Sequence, residues 1–374
     1  MRPMSAIPHP FWKFVFILGL GLIAPAEAAE KFKTEVIAEG LENPWSVAKL
    51  PDGRYLVTER AGRLRVIEDG KVSEPVQGVP AVWAKGQGGL LDVVLHPNYA
   101  SNGWIYLSFS KPIGEGALSA IIRGRLKGNE LVDQEVIFDP PAAEATTGGA
   151  HFGCKLVFDG KGHLFFSHGD RGDVTTPANS AQRVDNIKGK IHRIMDDGRI
   201  PEDNPFVGQD KARASIWSYG NRNPQGLVLD PKTGLLWETE HGPRGGDELN
   251  IIRKGLNYGW PVVTYGINYS GTPIAKRTEK KGMEPPVIHW TPSIAASGLA
   301  VYHGDKFPSW QGNLLAGALA HQKIVRITLE GEKVKDQEIL LEKTGRIRDV
   351  RCFDDGYVTV VYDQPGKVIR LVPE

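Results

Sequence analysis

The chain of 374 residues has little cysteine, little methionine and no excess of charge of either sign. Its two cysteines are too few for a disulfide-stapled scaffold or a multi-cysteine metal cluster. With 45 Lys and Arg against 44 Asp and Glu, it lacks the basic surface that binds nucleic acid or an anionic membrane. Gly (44) and Pro (26) are abundant and favour many turns over long helices. We therefore expect a folded protein that is rich in turns.

The first residues form a separate segment. Arg2 and Lys13 precede the apolar run Phe14–Ile23, and the small-x-small sequence Ala26–Ala28 follows it. This order predicts a secretory signal at residues 1–28, because the run is too short to span a membrane. An uncleaved anchor is the alternative. No later stretch is long enough to cross a bilayer, so we expect a periplasmic or secreted protein without membrane insertion.

The rest of the chain repeats one short pattern six times. Each unit has a turn containing glycine, followed by a run of β-type residues. The marker glycines recur at intervals of roughly 60 residues, which predicts an all-β, six-bladed β-propeller. They are Gly53, Gly103, Gly162, Gly234, Gly312 and Gly356. We expect one domain over residues 29–374, with long loops between the third and fifth markers; two packed β-sandwiches are the alternative.

A candidate acid–base pair lies in the third unit. His151 stands in the glycine-flanked segment Gly148–Gly153, just before a strand-like run. Because histidine titrates near neutral pH, it is the default general base. Asp170 ends the next run and could orient such a base. A lone histidine also has a purely structural interpretation.

Candidate metal and anion ligands follow. The segment Glu240–Glu248 combines acids with exposed carbonyls, which suits Ca²⁺, although a solvated acidic turn is the alternative. Arg222 is suited to binding carboxylates. Arg346 and Arg348 are two residues apart and should project from one face of a strand. The last two could simply face solvent, but the three arginines together would suit a polycarboxylate ligand.

Several of these segments occur together, in one order, in a known family. The chain resembles the soluble pyrroloquinoline-quinone (PQQ)-dependent glucose dehydrogenases, and more closely their bacterial aldose sugar dehydrogenase branch, from about residue 43 to 371. The motifs that carry the resemblance are Gly86–Asp92, His151–Gly153, Tyr219–Gly226, Glu240–Asn250, Asn257–Pro261 and Arg346–Asp349. The resemblance implies a six-bladed propeller with its site at the top of the central channel, in agreement with the repeat.

The resemblance also implies a role for each matching residue. His151 would be the catalytic base, with Asp170 an acid beside it. Quinone contacts would come from Gln87, Arg222, Asn223, His241, Tyr269, Arg346 and Arg348, the last two binding its carboxylates. The carbonyls of Gly242 and Pro243 would ligate a catalytic Ca²⁺. Glu248 and the Tyr258 carbonyl would ligate a second, structural calcium.

One position departs from the family pattern. Ala320 stands where the family usually has a lysine that meets the cofactor, and neither His321 nor Lys323 has the same spacing. The resemblance therefore implies that the quinone loses a cationic contact at this position.

These observations predict an aldose dehydrogenase that oxidises C1 to a lactone and passes electrons to a soluble acceptor. It would be a monomer or a homodimer. One rival is a non-catalytic exported propeller that binds sugar or another ligand, which Ala320 favours. Another is a calcium-dependent lactonase, which needs several acidic and amide side chains converging on one ion. Cys154 and Cys352 fall in the third and sixth units, so we expect no disulfide between them.

Overall fold

The computed structural model describes residues 30–374, and the predicted signal segment 1–28 lies outside the described residues. Almost all regular structure in residues 30–374 is β-strand, arranged as six four-stranded antiparallel sheets. The all-β prediction is confirmed, and the sheets correspond to the six predicted units.

Each sheet is one blade of the propeller. Blade one contains β2 (Pro44–Lys49), β3 (Tyr55–Glu59), β4 (Arg63–Glu68) and β5 (Lys71–Val72). Blade two contains β6 (Leu90–Leu95), β7 (Trp104–Ile113), β8 (Gly116–Lys127) and β9 (Glu130–Phe138). Blade three contains β10 (Gly153–Phe158), β11 (His163–His168), β12 (Lys190–Met195) and β13 (Ile216–Tyr219).

The second half follows the same plan. Blade four contains β14 (Pro224–Leu229), β15 (Leu236–Glu240), β16 (Asp247–Ile252) and β17 (Ile288–Trp290). Blade five contains β18 (Ala296–Val301), β19 (Leu314–Ala318), β20 (Lys323–Glu330) and β21 (Lys333–Leu340). Blade six contains β22 (Arg346–Cys352), β23 (Val358–Gln364), β24 (Lys367–Pro373) and the N-terminal strand β1 (Phe32–Glu39). Helical segments are short: α1 (Tyr99–Asn102) and 3-10 turns at Ala142–Glu144, Ser180–Gln182 and Pro308–Trp310.

The blades close into a ring. The first strands β2, β6, β10, β14, β18 and β22, here called the inner strands, contact one another in this order, and β22 contacts β2. Strand β1 pairs antiparallel with β24, so the start of the described chain completes the blade formed by its end. This pairing also covers an edge that would otherwise expose unpaired backbone groups.

The marker glycines explain why the repeat is visible in the sequence. All six have positive φ, between 67° and 94°, a conformation that glycine adopts without steric cost. Each stands in the turn before the second strand of a blade. In each blade, the β-type run after the marker glycine forms this second strand: β3, β7, β11, β15, β19 and β23.

The apolar core lies between neighbouring blades. Leu56 and Leu64 of blade one pack with Val93 and Leu107 of blade two, and all four are fully buried. Burial of such side chains contributes about 1.5–3 kcal/mol each. Equivalent clusters join blades four and five and blades five and six.

The channel itself is filled by a polar cluster. The Nζ of Lys155 on β10 lies 2.7 Å from Asp349 on β22 and 3.3 Å from Asp92 on β6. Arg351 binds the same two carboxylates at 2.9 and 2.5 Å. Two cations and two carboxylates thus balance one another and tie three inner strands together.

Three further sequence predictions concern the long connections, the two cysteines and membrane-spanning segments. Long connections occur where they were expected, notably 169–189, 196–215 and 253–287. Cys154 lies on β10 and Cys352 on β22, and both are free thiols, as predicted. Within residues 30–374, the structure contains no helix with the length and apolar character needed to span a membrane.

Candidate active site

A cavity of about 430 Å³ opens where the inner strands begin. Its wall includes Trp45 of β2, Leu91 of β6, Gly153 of β10 and Gln225 of β14, each the first or second residue of its strand. The volume falls within the range of small-molecule sites. The N-terminal ends of the inner strands therefore meet around one central pocket.

Four of the predicted cofactor residues line this cavity: Gln87, His241, Arg346 and Arg348. Arg346 and Arg348 reach the same space although the β22–β23 register shifts between them. Arg348 donates to Gln225 at 3.0 Å, and the Nε of Arg346 lies 3.4 Å from Asp363.

The wall carries an excess of positive charge. Among the described residues, it contains three guanidinium groups, Arg60, Arg346 and Arg348, against one carboxylate, Asp363. Burial, together with the charges of Arg346 and Arg60, lowers the pKa of Arg348 to about 10. Clustered cations in a pocket are stabilised by an anionic ligand, so the cavity is suited to a molecule with several carboxylates.

His151 and Asp170 form a hydrogen-bonded pair next to the cavity; neither lines it, but His151 directly precedes the wall residues Phe152 and Gly153. The Nδ1 of His151 lies 2.6 Å from Oδ1 of Asp170, and the backbone N–H of His151 donates to Gln87. His151 has φ 54°, in the left-handed region that favours glycine. The two residues that the sequence pairs as base and orienting acid therefore contact each other, and their catalytic roles stay predictions.

The charge state of this pair follows from its surroundings. Burial lowers the pKa of His151 and outweighs the opposite effect of the hydrogen bond that Nδ1 donates to Asp170, while the charge of Arg222 acts in the same direction as burial. Burial opposes ionisation of Asp170, but the hydrogen bond with His151 and the charge of Arg222 hold its pKa below the usual range. Because Asp170 is ionised it must accept, so Nδ1 carries the proton and Nε2 carries the lone pair.

Two further predicted residues lie behind the wall. Arg222 donates through Nη1 to the carbonyls of His241 and Gly242 at 2.9 and 2.8 Å. Asn223 accepts from the Nε2 of Gln225 at 3.1 Å. Both side chains are buried, and neither lines the cavity. They hold the wall residues His241 and Gln225 in place.

The predicted calcium residues fall beside Arg222. Gly242 and Pro243 form a buried loop, in which the Gly242 N–H donates to Asp247. Glu248, Tyr258 and the additional carboxylate Glu240 surround a small gap of about 10 Å³. Within residues 30–374, no three His, Cys, Asp or Glu side chains converge as a metal-ligand set, so backbone carbonyls would have to contribute.

The electrostatics around Glu248 nevertheless favour a cation. Burial and the charge of Glu240 raise the pKa of both Glu238 and Glu248 well above the usual range. Burial likewise raises the pKa of Glu240 to about 7, although hydrogen bonds from the backbone N–H groups of Arg222 and Asn223 lower it. Among the described residues, Oε1 of Glu238 and Oδ1 of Asn250 are buried without a hydrogen-bond partner. Three buried carboxylates and free oxygens are a chemically suitable environment for Ca²⁺.

Two predicted positions stand apart from the cavity. Tyr269 is 74% exposed and does not line it. Ala320 follows β19 and donates its N–H to the Ile294 carbonyl, while His321 beside it is exposed. Leu319, immediately before, is the wall residue at this point.

The sequence does not predict two other residues of the candidate site, Arg60 and Trp260. Arg60 was not predicted, because one arginine in a turn after β3 resembles any surface arginine. Trp260, whose Nε1 donates to Oδ2 of Asp170 at 2.7 Å, was noted only as part of a motif. Its role depends on how the 253–287 connection folds back over blade three, which local sequence does not reveal.

Comparisons with known proteins agree with this geometry. The family described as "Glucose / Sorbosone dehydrogenase" matches residues 41–370. The aldose sugar dehydrogenase YliI of Escherichia coli (strain K12) is 47% identical over 348 residues, covering 91% of this chain and 92% of that protein.

Solved structures give the same result. The apo-form of the soluble aldose sugar dehydrogenase from Escherichia coli has a TM-score of 0.86 and 44% identity, covering 92% of this chain and 100% of that one. The PQQ-bound aldose sugar dehydrogenase from Streptomyces coelicolor has a TM-score of 0.73 and 28% identity, covering 92% and 99%. The chain therefore belongs to the glucose/sorbosone dehydrogenase family, a family of oxidoreductases.

Proposed function

We propose that the protein oxidises the C1 hydroxyl of cyclic aldoses to lactones, with PQQ and Ca²⁺ as cofactors and an external electron acceptor. The observation that carries this proposal is the His151–Asp170 pair beside a cavity lined by three guanidinium groups. A base beside a wall that can bind a polyanion fits proton abstraction next to a carboxylate-bearing quinone. A PQQ-bound relative of similar architecture supports the choice of cofactor.

In this proposal each residue has a defined task. Nε2 of His151 takes the proton of the C1 hydroxyl, while Asp170 stabilises the imidazolium that forms. Arg346, Arg348 and Arg60 would bind the carboxylates of PQQ, and Gln87 and His241 would contact its rings. PQQ, when bound, would accept the hydride, with Ca²⁺ polarising the reacting carbonyl. Ala320 stands at the family's lysine position, and its neighbour Leu319 gives the wall an apolar side chain there. The arginines would therefore supply the charged contacts that bind the cofactor.

Two calcium sites are part of the proposal. The Gly242 and Pro243 carbonyls would hold the catalytic ion. Glu248 and the Tyr258 carbonyl, with Glu240 beside them, would hold the structural ion. We further propose that residues 29–374 act as one domain in the periplasm or outside the cell, after removal of residues 1–28.

The test compares two sugars that differ at one position. Purified protein with PQQ and Ca²⁺ is mixed with an electron-accepting dye and either glucose or its 1-O-methyl glycoside. We expect dye reduction and a lactone product with glucose only, because the glycoside has no C1 hydroxyl. Equal turnover of both sugars would contradict attack at C1. No turnover of a range of aldoses, with no PQQ retained after gel filtration, would favour the non-catalytic binding propeller.

A further inference from the structure

A fully buried lysine lies behind the candidate acid–base pair. Lys190 begins β12 and has no exposed surface. Its Nζ donates to the carbonyls of Ser180, Ala181 and Lys188, at 2.9, 3.1 and 2.5 Å. All three N–H groups of an ammonium thus find acceptors, and two of those acceptors belong to the 3-10 turn Ser180–Gln182.

The residue that caps this turn contacts Asp170. Asn179 is fully buried, and its Oδ1 accepts from the N–H of Ala181 at 2.7 Å. Its Nδ2 donates to Oδ2 of Asp170 at 3.3 Å and to the Val174 carbonyl. The position of the turn therefore sets the position of one donor to the Asp170 carboxylate.

The other end of the turn holds the second donor. The Nε2 of Gln182 donates to the Trp260 carbonyl at 2.7 Å, and Gln182 and Asn257 exchange a pair of amide hydrogen bonds. Trp260 in turn donates its Nε1 to Oδ2 of Asp170. Both side-chain donors to Oδ2, Asn179 and Trp260, are thus connected to the turn that Lys190 binds.

We propose that Lys190 is a positioning residue: by fixing the Ser180–Gln182 turn, it orients Asp170 so that Oδ1 remains directed at Nδ1 of His151. The inference rests on the proposed role of His151 as base, but its geometry is independent of any ligand.

The charges around Lys190 fit a role in binding carbonyls. Among the described residues, its Nζ forms no ion pair: its hydrogen bonds go to carbonyls, and Asp185 and Glu144 pair with Arg183 and Arg213 instead. Burial lowers the pKa of Lys190 to about 7; Glu144 and Asp185 oppose this effect, and Arg183 and Lys188 add to it. A lysine kept in such a place without a counter-ion is costly, so its hydrogen bonds must offset that cost.

The test measures the pKa of His151 by NMR and does not depend on turnover. Histidine Hε1 signals of the purified mature chain are titrated by NMR, and the His151 signal is assigned by its loss in His151→Ala. Asp170 raises the pKa of His151. We therefore expect Lys190→Met to lower that pKa by roughly half a unit or more, since the pair loosens. Asn179→Ala should lower it similarly. Tyr302→Phe, which removes buried hydrogen bonds in blade five, should leave it unchanged.

The outcomes separate positioning from general stability. An unchanged His151 pKa in folded Lys190→Met overturns the proposal, whatever the change in melting temperature. If Lys190→Met does not fold, Lys190→Gln replaces it and is judged in the same way. If neither folds while Tyr302→Phe does, Lys190 is required for folding and the proposal fails. Since no sugar, PQQ or Ca²⁺ is present, the result stands even if the proposed dehydrogenase reaction is wrong.

Discussion

The imidazole Nδ1 of His151 and the carboxylate Oδ1 of Asp170 lie 2.6 Å apart next to the central cavity. Asp170 is almost fully buried and accepts three further hydrogen bonds, from Trp260, Asn179 and the Gly172 N–H. A carboxylate held by so many donors cannot easily rotate. It therefore fixes both the orientation and the tautomer of His151.

Removal of either member of this pair should reduce turnover without unfolding the protein. We expect His151→Ala to lower kcat by roughly 10²–10⁴-fold, the usual contribution of a general base. Asp170→Asn should also lower kcat, because an amide can donate to Nδ1 and favour the wrong tautomer. Sugar-dependent dye reduction measures both effects.

The chain offers a matched control for this pair. His163, the first residue of β11, and Asp159 in the preceding turn form a similar hydrogen bond of 2.7 Å. His163→Ala should keep full activity. A comparable loss in His163→Ala and His151→Ala would show that the effect arises from folding rather than from the base.

The pH profile should reflect the buried environment of His151. Its pKa lies below the usual 6.5, chiefly because of burial, and only the neutral imidazole can take a proton. As the pH falls through this lowered pKa, the base becomes protonated and kcat/KM decreases. We therefore expect the acidic decline of kcat/KM below pH 6.5. A decline centred above pH 6.5 would contradict the assignment of His151 as the titrating base.

The arginines should control cofactor affinity more than chemistry. Arg348→Met removes a buried cation from the cavity wall, so we expect the Kd for PQQ to rise by about 10- to 100-fold. Fluorescence quenching of the protein by PQQ measures this value. Arg370→Met serves as the control, since Arg370 pairs with Glu35 at the surface of the same blade. If both variants bind PQQ equally well, the anionic end of the ligand does not bind at Arg348.

The fold could be predicted from sequence because the repeated pattern of turn and strand lies within short stretches of the chain. Each marker glycine has a positive φ in a turn, and the run after it becomes the second strand of a blade. The inner strands were not located this way. Ala296–Val301, for example, has no glycine-containing turn directly before it, and its burial depends on the closed ring.

The candidate site was only partly predictable. His151, Asp170, Arg346 and Arg348 belong to short motifs; the structure brings the arginine pair into one cavity and the His151–Asp170 pair next to its wall. Arg60 and Trp260 act through contacts with residues far away in sequence. Asn223 has the residue type of a ligand contact, yet its amide supports Gln225 from behind. Such roles follow from the packing of the loops, which residue type alone does not determine.

Calcium should stabilise the protein through the buried carboxylates. With the cofactor-free protein, we expect Ca²⁺ at 100 times its Kd to add about 2.7 kcal/mol to the free energy of unfolding. Glu248→Gln should remove most of the resulting increase in Tm, because it takes away a ligand charge. Glu42→Gln, at an exposed ion pair, should leave the increase intact. An equal increase in both variants would place the stabilising ion elsewhere.

The charge cluster in the channel should contribute strongly to stability. Lys155→Met leaves Asp92 and Asp349 buried with Arg351 as their remaining cationic partner, so one carboxylate lacks compensation. Breaking a buried pair from one side costs about 3–5 kcal/mol, whereas Lys49→Met at a partly exposed pair should cost under about 1 kcal/mol. The midpoint of urea denaturation measures both losses.

A double variant separates charge from packing in this cluster. Burial opposes the ionised form of Asp349, and its low pKa depends on Arg351 and Lys155. Asp349→Asn in the Lys155→Met background restores the balance of one cation to one carboxylate, Arg351 to Asp92. We therefore expect the double variant to denature at a higher urea concentration than Lys155→Met alone. If it is less stable, the loss in Lys155→Met comes from side-chain packing against Trp45, whose ring lies 5.0 Å from the Lys155 Nζ, and not from an uncompensated charge.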